Sequence, residues 1–258
     1  MTPTDRLDTT DSPAPEHARP YVTAEAGSLS LHFSSAQLQS SMRTDAPWQL
    51  AVDYTLTLAG FLLFNPQPKR IAMVGLGGGS LVKFCHRHLL LSHMTAVEIN
   101  PHVIALRELF HIPPDDARLE ILQADGVDFV AAQSGELDVL LIDGFDRQGQ
   151  PAALCSQAFY HDCFSALAPG GVLAVNLHQG HVDHALYAER IRRSFAGNAV
   201  EIDAPEQGNC VVFASRGSAI SPRALKTQAA LAVLDSDTRR QLRPEFARIA
   251  WLMKDLSD

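Results

Sequence analysis

Ile71-Ala72-Met73-Val74-Gly75-Leu76-Gly77-Gly78-Gly79-Ser80 is an apolar run that ends in a glycine-rich turn, and Ala96-Val97-Glu98-Ile99-Asn100 is a second run that ends in an acid. With a helix between them, they have the layout of a β-α-β unit that binds nucleotides. Gly75, Gly77 and Gly79 lack a Cβ, which lets the backbone turn sharply and approach a ligand. Glu98 can accept hydrogen bonds from both ribose hydroxyls. Glycines alone also occur in turns that only pack against a helix, but together with the helix and the acid they predict an adenosine-type ligand.

The kind of nucleotide is narrowed by the neighbouring segments. The glycine run lacks the GKS or GKT ending that holds a triphosphate, which argues against an ATP-hydrolysing P-loop. A third apolar segment, residues 119–122, is followed by Gln123-Ala124-Asp125-Gly126. Asp125 is placed to bind an adenine amino group, as in S-adenosylmethionine sites, or to cap the helix that follows.

Two further strands complete the predicted sheet. Residues 137–142 are followed by Asp143-Gly144-Phe145-Asp146, and residues 167–176 contain Pro169-Gly170-Gly171. Ligands of open parallel sheets lie beyond the carboxyl ends of the strands. The acids that end these strands are therefore expected to face one crevice.

From about Gln39 to Asn176 the chain resembles the spermidine and spermine synthases, or polyamine aminopropyltransferases, and their bacterial synthase-like relatives. The resemblance rests on Glu98, Asp125-Gly126, the Asp143-x-x-Asp146 pair and the Pro-Gly-Gly segment, which occur in the family's order. It implies an α/β protein with a Rossmann-like, S-adenosylmethionine-dependent methyltransferase fold and a small N-terminal β region. It also implies transfer of an aminopropyl group from decarboxylated S-adenosylmethionine to a polyamine, by a homodimer.

The resemblance also implies roles for individual residues. Glu98 would hold the ribose, Asp125 would read the adenine, Asp143 would be the general base, and Asp146 would help to hold the amine. Tyr54 lies near a family tyrosine that supports amine binding, although a half-buried aromatic residue would fit the same position. The remaining donor contacts are expected from Gln39, Gly75, Gly77, Gly79 and Gly126.

The chemistry of such a transfer explains why clustered acids are useful. An amine must lose its proton before it attacks the methylene next to a sulfonium, and its pKa in solution is about 10. A buried Asp143 beside Asp146 could take that proton. Two aspartates also suit a cationic amine and a cationic donor. The alternative is that both aspartates only shape the loop after a strand.

Departures from the family pattern leave the donor open. Spermidine synthases usually read Gly-Gly-Gly-Asp-Gly in the loop, and their aspartate binds the amino group of the decarboxylated donor, whereas Gly78 stands here. Thr55 follows Tyr54 in place of the usual His or Gln. The co-substrate could therefore be decarboxylated S-adenosylmethionine or S-adenosylmethionine itself. The alternatives are a methyltransferase and a catalytically silent relative that keeps the fold for binding.

Composition favours a cytoplasmic enzyme. The chain has 258 residues, 46% of them hydrophobic, and a net charge of -8. This charge does not indicate a nucleic-acid surface. No apolar run approaches the roughly twenty residues of a membrane span, and the N-terminus lacks the pattern of an export signal.

Cysteine and histidine give no sign of a metal. Cys85, Cys155, Cys163 and Cys210 contain no C-x-x-C pair, and we expect them to be reduced. His178, His181 and His184 recur at every third residue but match no zinc signature. The sequence therefore predicts no metal site.

Four segments are expected along the chain. Residues 1–20 are predicted to be a disordered tail, and residues 21–64 a β-hairpin (21–42) followed by a helix (46–64). Residues 65–215 form the predicted nucleoside-binding catalytic domain, with late strands at 199–202 and 210–214. Residues 216–258 form a predicted helical extension, with helix over 222–256.

Overall fold

Two β-sheets and nine α-helices make up the part of the chain that the computed structural model describes, residues 17–34, 37–146, 149–206 and 208–256. The strands are β1 (Tyr21–Glu25), β2 (Ser28–Ser34), β3 (Gln37–Arg43), β4 (Arg70–Val74), β5 (His93–Glu98), β6 (Leu119–Gln123), β7 (Leu137–Ile142), β8 (Leu167–His178), β9 (Ala199–Asp203) and β10 (Asn209–Ser215). The helices are α1 (Asp53–Leu58), α2 (Phe61–Phe64), α3 (Ser80–His88), α4 (Pro101–Ile104), α5 (Gly126–Ala131), α6 (Gln157–Ala166), α7 (His184–Ser194), α8 (Thr227–Ala232) and α9 (Ser236–Asp255). Short 3₁₀ turns lie at Ala152–Cys155 and Pro222–Ala224.

The larger sheet has seven strands in the order β6-β5-β4-β7-β8-β10-β9. The first five are parallel, and β10 runs antiparallel to both β8 and β9. The strand order reverses between β4 and β7, which is where open α/β sheets form a ligand crevice. The predicted α/β architecture is confirmed.

Alternating side chains of the central strands pack against helices on both faces of this sheet. In β4, Ile71 and Met73 join the core formed with α1, α2, α3 and α9, whereas Ala72 and Val74 join the core formed with α5, α6 and α7. Because both faces are covered, these strands are continuous apolar runs.

The N-terminal β region is a three-stranded antiparallel sheet in the order β1-β2-β3, one strand more than the predicted hairpin. Ala26 and Gly27 turn the chain between β1 and β2 with φ angles of 35° and 87°. Leu31 of β2 and Met42 of β3 are buried in the main core. This packing holds the small sheet against the large one. The predicted tail lies outside the described residues up to position 16.

The helix predicted over residues 46–64 is wrong in its first third. Residues 44–52 are irregular, and α1 begins only at Asp53, after an extended Val52. Proline is tolerated in a first helical turn, so Pro47 alone does not explain this; the irregular segment is held by the burial of Leu50 in the core. Gly60 then separates α1 from α2, and a Cβ on it would lie 2.7 Å from the carbonyl oxygen of Thr57.

The C-terminal helices pack onto the core. The segment predicted as helix over 222–256 consists of a 3₁₀ turn, α8 and α9. Phe246 and Ile249 of α9 are fully buried in the core that also holds α1 and α2. Glu245 of α9 accepts a hydrogen bond from Thr57 of α1 (2.6 Å) and is paired with Arg248 (2.7 Å). Among the described helices, none combines the length and the apolar character needed to cross a bilayer.

Candidate active site

The loop after β4 adopts a backbone conformation that favours glycine. Gly75, Gly77 and Gly79 have φ angles of 95°, 51° and 66°, in the left-handed region. A Cβ on Gly75 would also collide with the main-chain carbonyl of Asp143. The glycine loop after β4 and the loop after β7 are therefore in direct backbone contact.

Glu98 joins this loop to the end of β5. Its Oε2 atom accepts a hydrogen bond from the Leu76 amide at 3.0 Å, and its Oε1 atom accepts one from the Asn100 amide at 2.8 Å. A carboxylate has about four acceptor positions, so acceptor capacity remains for a ligand. Burial raises the pKa of Glu98 above its usual value, and hydrogen bonds from the Asn100, Leu76 and Ile99 amides oppose that shift.

Asp125 lies at the end of β6 and caps α5. Its side chain accepts a hydrogen bond from the Val127 amide at 2.7 Å, as expected of an N-cap residue. The helix-capping alternative is thus what the structure contains, and the second carboxylate oxygen has no role in that cap. A Cβ on the neighbouring Gly126 would collide with Val74, so Gly126 allows α5 to pack against β4.

Asp143 is held by two donors from distant elements. The Tyr54 hydroxyl donates to Oδ2 at 3.2 Å, and the Asn176 amide donates to Oδ1 at 2.9 Å. The side chain of Asn176 is oriented in turn by Asn209, whose amide donates to its Oδ1 at 3.0 Å. Burial raises the pKa of Asp143 to about 6, although both hydrogen bonds act to lower it. Burial and the neighbouring carboxylate raise the pKa of Tyr54 well above 10, so its hydroxyl remains a donor.

Asp146 lies three residues further along the same loop. It is exposed, and its backbone pairs with Gly149 through two hydrogen bonds of 2.8 and 3.3 Å. Gln150 fixes the end of this loop, because its side chain donates to the Asn176 carbonyl and accepts from the His178 amide (2.9 and 3.2 Å).

These residues surround a cavity of about 290 Å³ at the carboxyl ends of the strands. Its lining includes nine of the ten predicted site residues: Gln39, Tyr54, Gly75, Gly77, Glu98, Asp125, Gly126, Asp143 and Asp146. Gly79 is the exception; it is the N-cap residue of α3, and a Cβ there would meet the Ile112 side chain at 2.5 Å. β2 and β3 of the small sheet contribute Phe33 and Ser40 to the same cavity.

Sequence reasoning missed Asn176 and the surroundings of Gly78. Asn176 is a polar residue near the end of the apolar strand β8, and that position was its only signal. A Cβ on Gly78 would lie 2.6 Å from the Ser40 hydroxyl and 2.9 Å from the Phe110 ring. The space beside Gly78 is therefore already filled by side chains.

Comparison with known proteins adds to this geometry. Residues 53–203 match the spermine/spermidine synthase domain. The polyamine aminopropyltransferase of Chromobacterium violaceum is 39% identical over 198 residues, which are 76% of each chain. A probable spermidine synthase from Corynebacterium glutamicum has a similar fold, with a TM-score of 0.68 at 19% identity over 83% of each chain. Human methyltransferase-like protein 13 in complex with SAH has a TM-score of 0.59 at 24% identity, over 74% of this chain and 91% of its own. These likenesses confirm the predicted methyltransferase-type fold.

Proposed function

Because this chain belongs to the spermine/spermidine synthase family, we propose that it transfers an aminopropyl group from decarboxylated S-adenosylmethionine to a polyamine. The polyamine aminopropyltransferases among its relatives align over most of both chains. The observation that carries the proposal is Asp143. Its carboxyl is desolvated, held by two donors, and lies beside the glycine loop in the same cavity.

In the proposed reaction, Asp143 accepts the proton that the acceptor ammonium loses. The free nitrogen lone pair forms a bond to the donor methylene, the carbon–sulfur bond breaks with its electrons going to sulfur, and neutral methylthioadenosine leaves. An exposed aspartate is too weak a base for an amine of pKa about 10. Burial raises the pKa of Asp143 to about 6, which reduces the difference between the pKa values of the base and the amine. Expulsion of water by bound substrates would reduce this difference further.

The other polar groups of the cavity have separate proposed roles. Glu98 would hold the ribose hydroxyls with its unused acceptor capacity, and Asp125 would bind the adenine amino group with the oxygen that does not cap α5. Gln39, Gly75, Gly77 and Gly126 would contact the donor. Tyr54 and Asp146 would hold the amine. The acids around the cavity suit two cationic reactants.

The test is calorimetric titration of the wild-type protein with decarboxylated S-adenosylmethionine, S-adenosylmethionine and methylthioadenosine. Putrescine or spermidine is then added, and release of methylthioadenosine is measured. We expect preference for the decarboxylated donor and release of the product. Binding of S-adenosylmethionine alone would instead favour methyl transfer, the alternative that Gly78 leaves open. Binding of none of the three would favour a silent relative.

The role of Asp143 is tested by Asp143→Asn. We expect kcat to fall by about 10²-fold or more, the usual contribution of a general base, while donor affinity changes little. Asp128→Asn, at an exposed aspartate of α5, is the matched control and should behave as wild type. Wild-type turnover by Asp143→Asn would exclude the general-base role.

We further propose that the enzyme is a cytoplasmic homodimer. All four cysteines are buried and unpaired, which suits a reducing compartment. Exposed apolar side chains such as Leu91 and Trp251 offer surface that a second copy could cover. A molar mass near twice 28.1 kDa in light scattering is the expected result, and a mass near 28.1 kDa would contradict it.

A further inference from the structure

Three metal-ligating side chains converge outside the active site. The Nε2 atom of His184 lies 3.1 Å from the Oε1 atom of Glu201 and 3.2 Å from the Sγ atom of Cys210. All three donor atoms lie within 4.8 Å of one another. His184 and Glu201 are half-buried, and Cys210 is buried.

Rigid elements hold this cluster in place. Val212 of β10 pairs with Glu201 of β9, and Cys210 lies two residues before Val212, so Glu201 and Cys210 share one face of the sheet. α7 packs on that face through Ala188 and Ile191, which join the core that contains Cys210. His184 is the first residue of α7. The three ligands thus come from three elements that are fixed by backbone pairing and core packing.

Hydrogen bonds link part of this cluster, because both the His184 ring and the Cys210 thiol are paired with the Glu201 carboxylate. A neutral imidazole nitrogen either donates one hydrogen bond or accepts one. Yet Nε2 of His184 lies within bonding distance of both a carboxylate oxygen and a sulfur. One nitrogen, one oxygen and one sulfur atom within 4.8 Å of one another can all reach a single metal ion.

We propose that His184, Glu201 and Cys210 bind one divalent metal ion of the zinc type, which ties α7 to β9 and β10. Nitrogen, oxygen and sulfur ligands in one set select a borderline-soft ion such as Zn²⁺ over Mg²⁺ or Ca²⁺. Metal–ligand bonds of about 2.0 to 2.3 Å at tetrahedral angles place neighbouring ligand atoms about 3.3 to 3.6 Å apart. The two contacts of His184, at 3.1 and 3.2 Å, need to lengthen by only a few tenths of an ångström, and water would take the fourth position.

The charges of the site balance when an ion is bound. Binding displaces the thiol proton of Cys210 to solvent, so thiolate and carboxylate together neutralise a divalent ion while His184 binds in its neutral form. Arg192 lies 3.4 Å from the second oxygen of Glu201, and Asp203 is paired with Cys210 across the strands. Their opposite charges offset each other near the site.

The proposal is tested on the full-length protein, stripped with a chelator and titrated with Co²⁺ and then Zn²⁺. We expect one Co²⁺ per chain, a thiolate-to-cobalt charge-transfer band in the near ultraviolet, and visible bands of tetrahedral intensity that Zn²⁺ abolishes. Cys210→Ser should remove the charge-transfer band. Glu201→Gln keeps the shape of the side chain and should weaken Co²⁺ affinity by at least tenfold. Cys85→Ser, at a buried cysteine of α3 outside the cluster, should bind as wild type.

Two outcomes would overturn the proposal. One is the absence of a charge-transfer band in folded wild-type protein. The other is a band that persists in Cys210→Ser or is lost in Cys85→Ser. If Cys210→Ser does not fold, Glu201→Gln decides, since unchanged affinity in that variant would exclude the carboxylate as a ligand. Aminopropyl transfer is assayed separately in each variant, so failure of the metal site does not bear on the proposed activity.

Discussion

At the scale of single residues, the proton affinity of Asp143 sets the pH range of the proposed reaction. Its pKa of about 6 is raised, and a base works only when deprotonated. We therefore expect kcat/KM to fall about tenfold per pH unit below about pH 6 and to be flat just above it. The measurement is kcat/KM in overlapping buffers with saturating donor. A profile without an acid limb near this pH would exclude Asp143 as the titrating base.

Substitution of Asn176 or Asn209 should change the pH below which kcat/KM falls, here called the acid limb. Asn176 donates to the Asp143 carboxylate and thereby favours its charged form. Asn176→Ala removes the donor, so the pKa of Asp143 should rise and the limb should shift to higher pH. Asn209→Ala leaves Asn176 in place without its orienting partner and should cause a smaller shift in the same direction. A lower kcat with an unmoved limb would indicate a merely structural role for both residues.

Replacing Gly78 by aspartate, the residue that spermidine synthases usually carry there, should destabilise this protein. A side chain there meets the Ser40 hydroxyl and the buried Phe110 ring. Because overpacking a filled core costs about 1 to 3 kcal/mol, Gly78→Asp should lower the free energy of unfolding and should not improve affinity for the decarboxylated donor. Gly78→Asp combined with Phe110→Leu relieves the ring contact and serves as the control. A tighter-binding single variant of wild-type stability would contradict this expectation.

Sequence reasoning identified Tyr54 and the cavity residues that follow strands, but not Asn176, the second hydrogen-bond partner of Asp143. Glu98, Asp125 and Asp143 were predictable because the carboxyl ends of parallel strands meet at one edge of a sheet. The pairing of Asn176 with Asp143 spans 33 residues, and no local pattern encodes it. The cluster of His184, Glu201 and Cys210 also has no sequence signature, because its members lie on three different elements.

At the scale of secondary-structure elements, α9 anchors the helix that carries Tyr54. Glu245 is buried and joins Thr57 of α1 to Arg248, which also donates to the Asp203 carbonyl at 2.7 Å. Glu245→Ala would leave Arg248 without its carboxylate in a half-buried setting. We expect a loss of about 3 kcal/mol in the free energy of unfolding by urea. Arg240→Ala, which breaks the exposed pair with Asp237, is the control and should cost less than about 1 kcal/mol.

If Glu245 of α9 positions Tyr54 as well as stabilising the fold, its loss should weaken binding of the amine. Tyr54 lies one helical turn before Thr57 on α1. At a temperature where Glu245→Ala remains folded, we expect the KM for the amine to rise more than the affinity for the nucleoside falls. Equal effects on both would contradict a link between α9 and Tyr54.

The elements themselves were predicted with unequal success, for physical reasons. β7 was predicted at its observed bounds, because a strand buried on both faces reads as an unbroken apolar run. The helix prediction was wrong over residues 46–52, because this segment is irregular although Leu50 is buried in the core. Burial alone does not distinguish a loop from a helix.

At the scale of the whole molecule, Asp143 should lower stability at neutral pH. Its raised pKa means that the folded state binds more protons than the unfolded state between about pH 4 and pH 6. The stabilising contribution of the protonated carboxyl is therefore present in acid and is lost as pH rises through that window. At pH 7.5 the ionised Asp143 carboxyl should lower the free energy of unfolding by roughly 2 to 3 kcal/mol.

Asp143→Asn should accordingly be more stable than wild type at pH 7.5, and the gain should shrink at pH 4.5. The carbonyl oxygen of the introduced amide can still accept from Asn176, and the Tyr54 hydroxyl can rotate to accept from its NH₂ group. Urea unfolding of both proteins at the two pH values is the measurement. A gain of equal size at both pH values would show that it does not come from the charge of Asp143.

The contact between Gly75 and the Asp143 carbonyl has a consequence for how this lineage can diversify. The Asp143 amide also donates to the Val74 carbonyl at 2.9 Å. Main-chain contacts therefore fix the backbone position of Asp143, from which the carboxylate extends. Inherited changes in the side chains after Asp146 can then reshape the acceptor end of the cavity while the base stays in position. Descendants of one ancestor could thus come to use different amines and still retain the same chemical step.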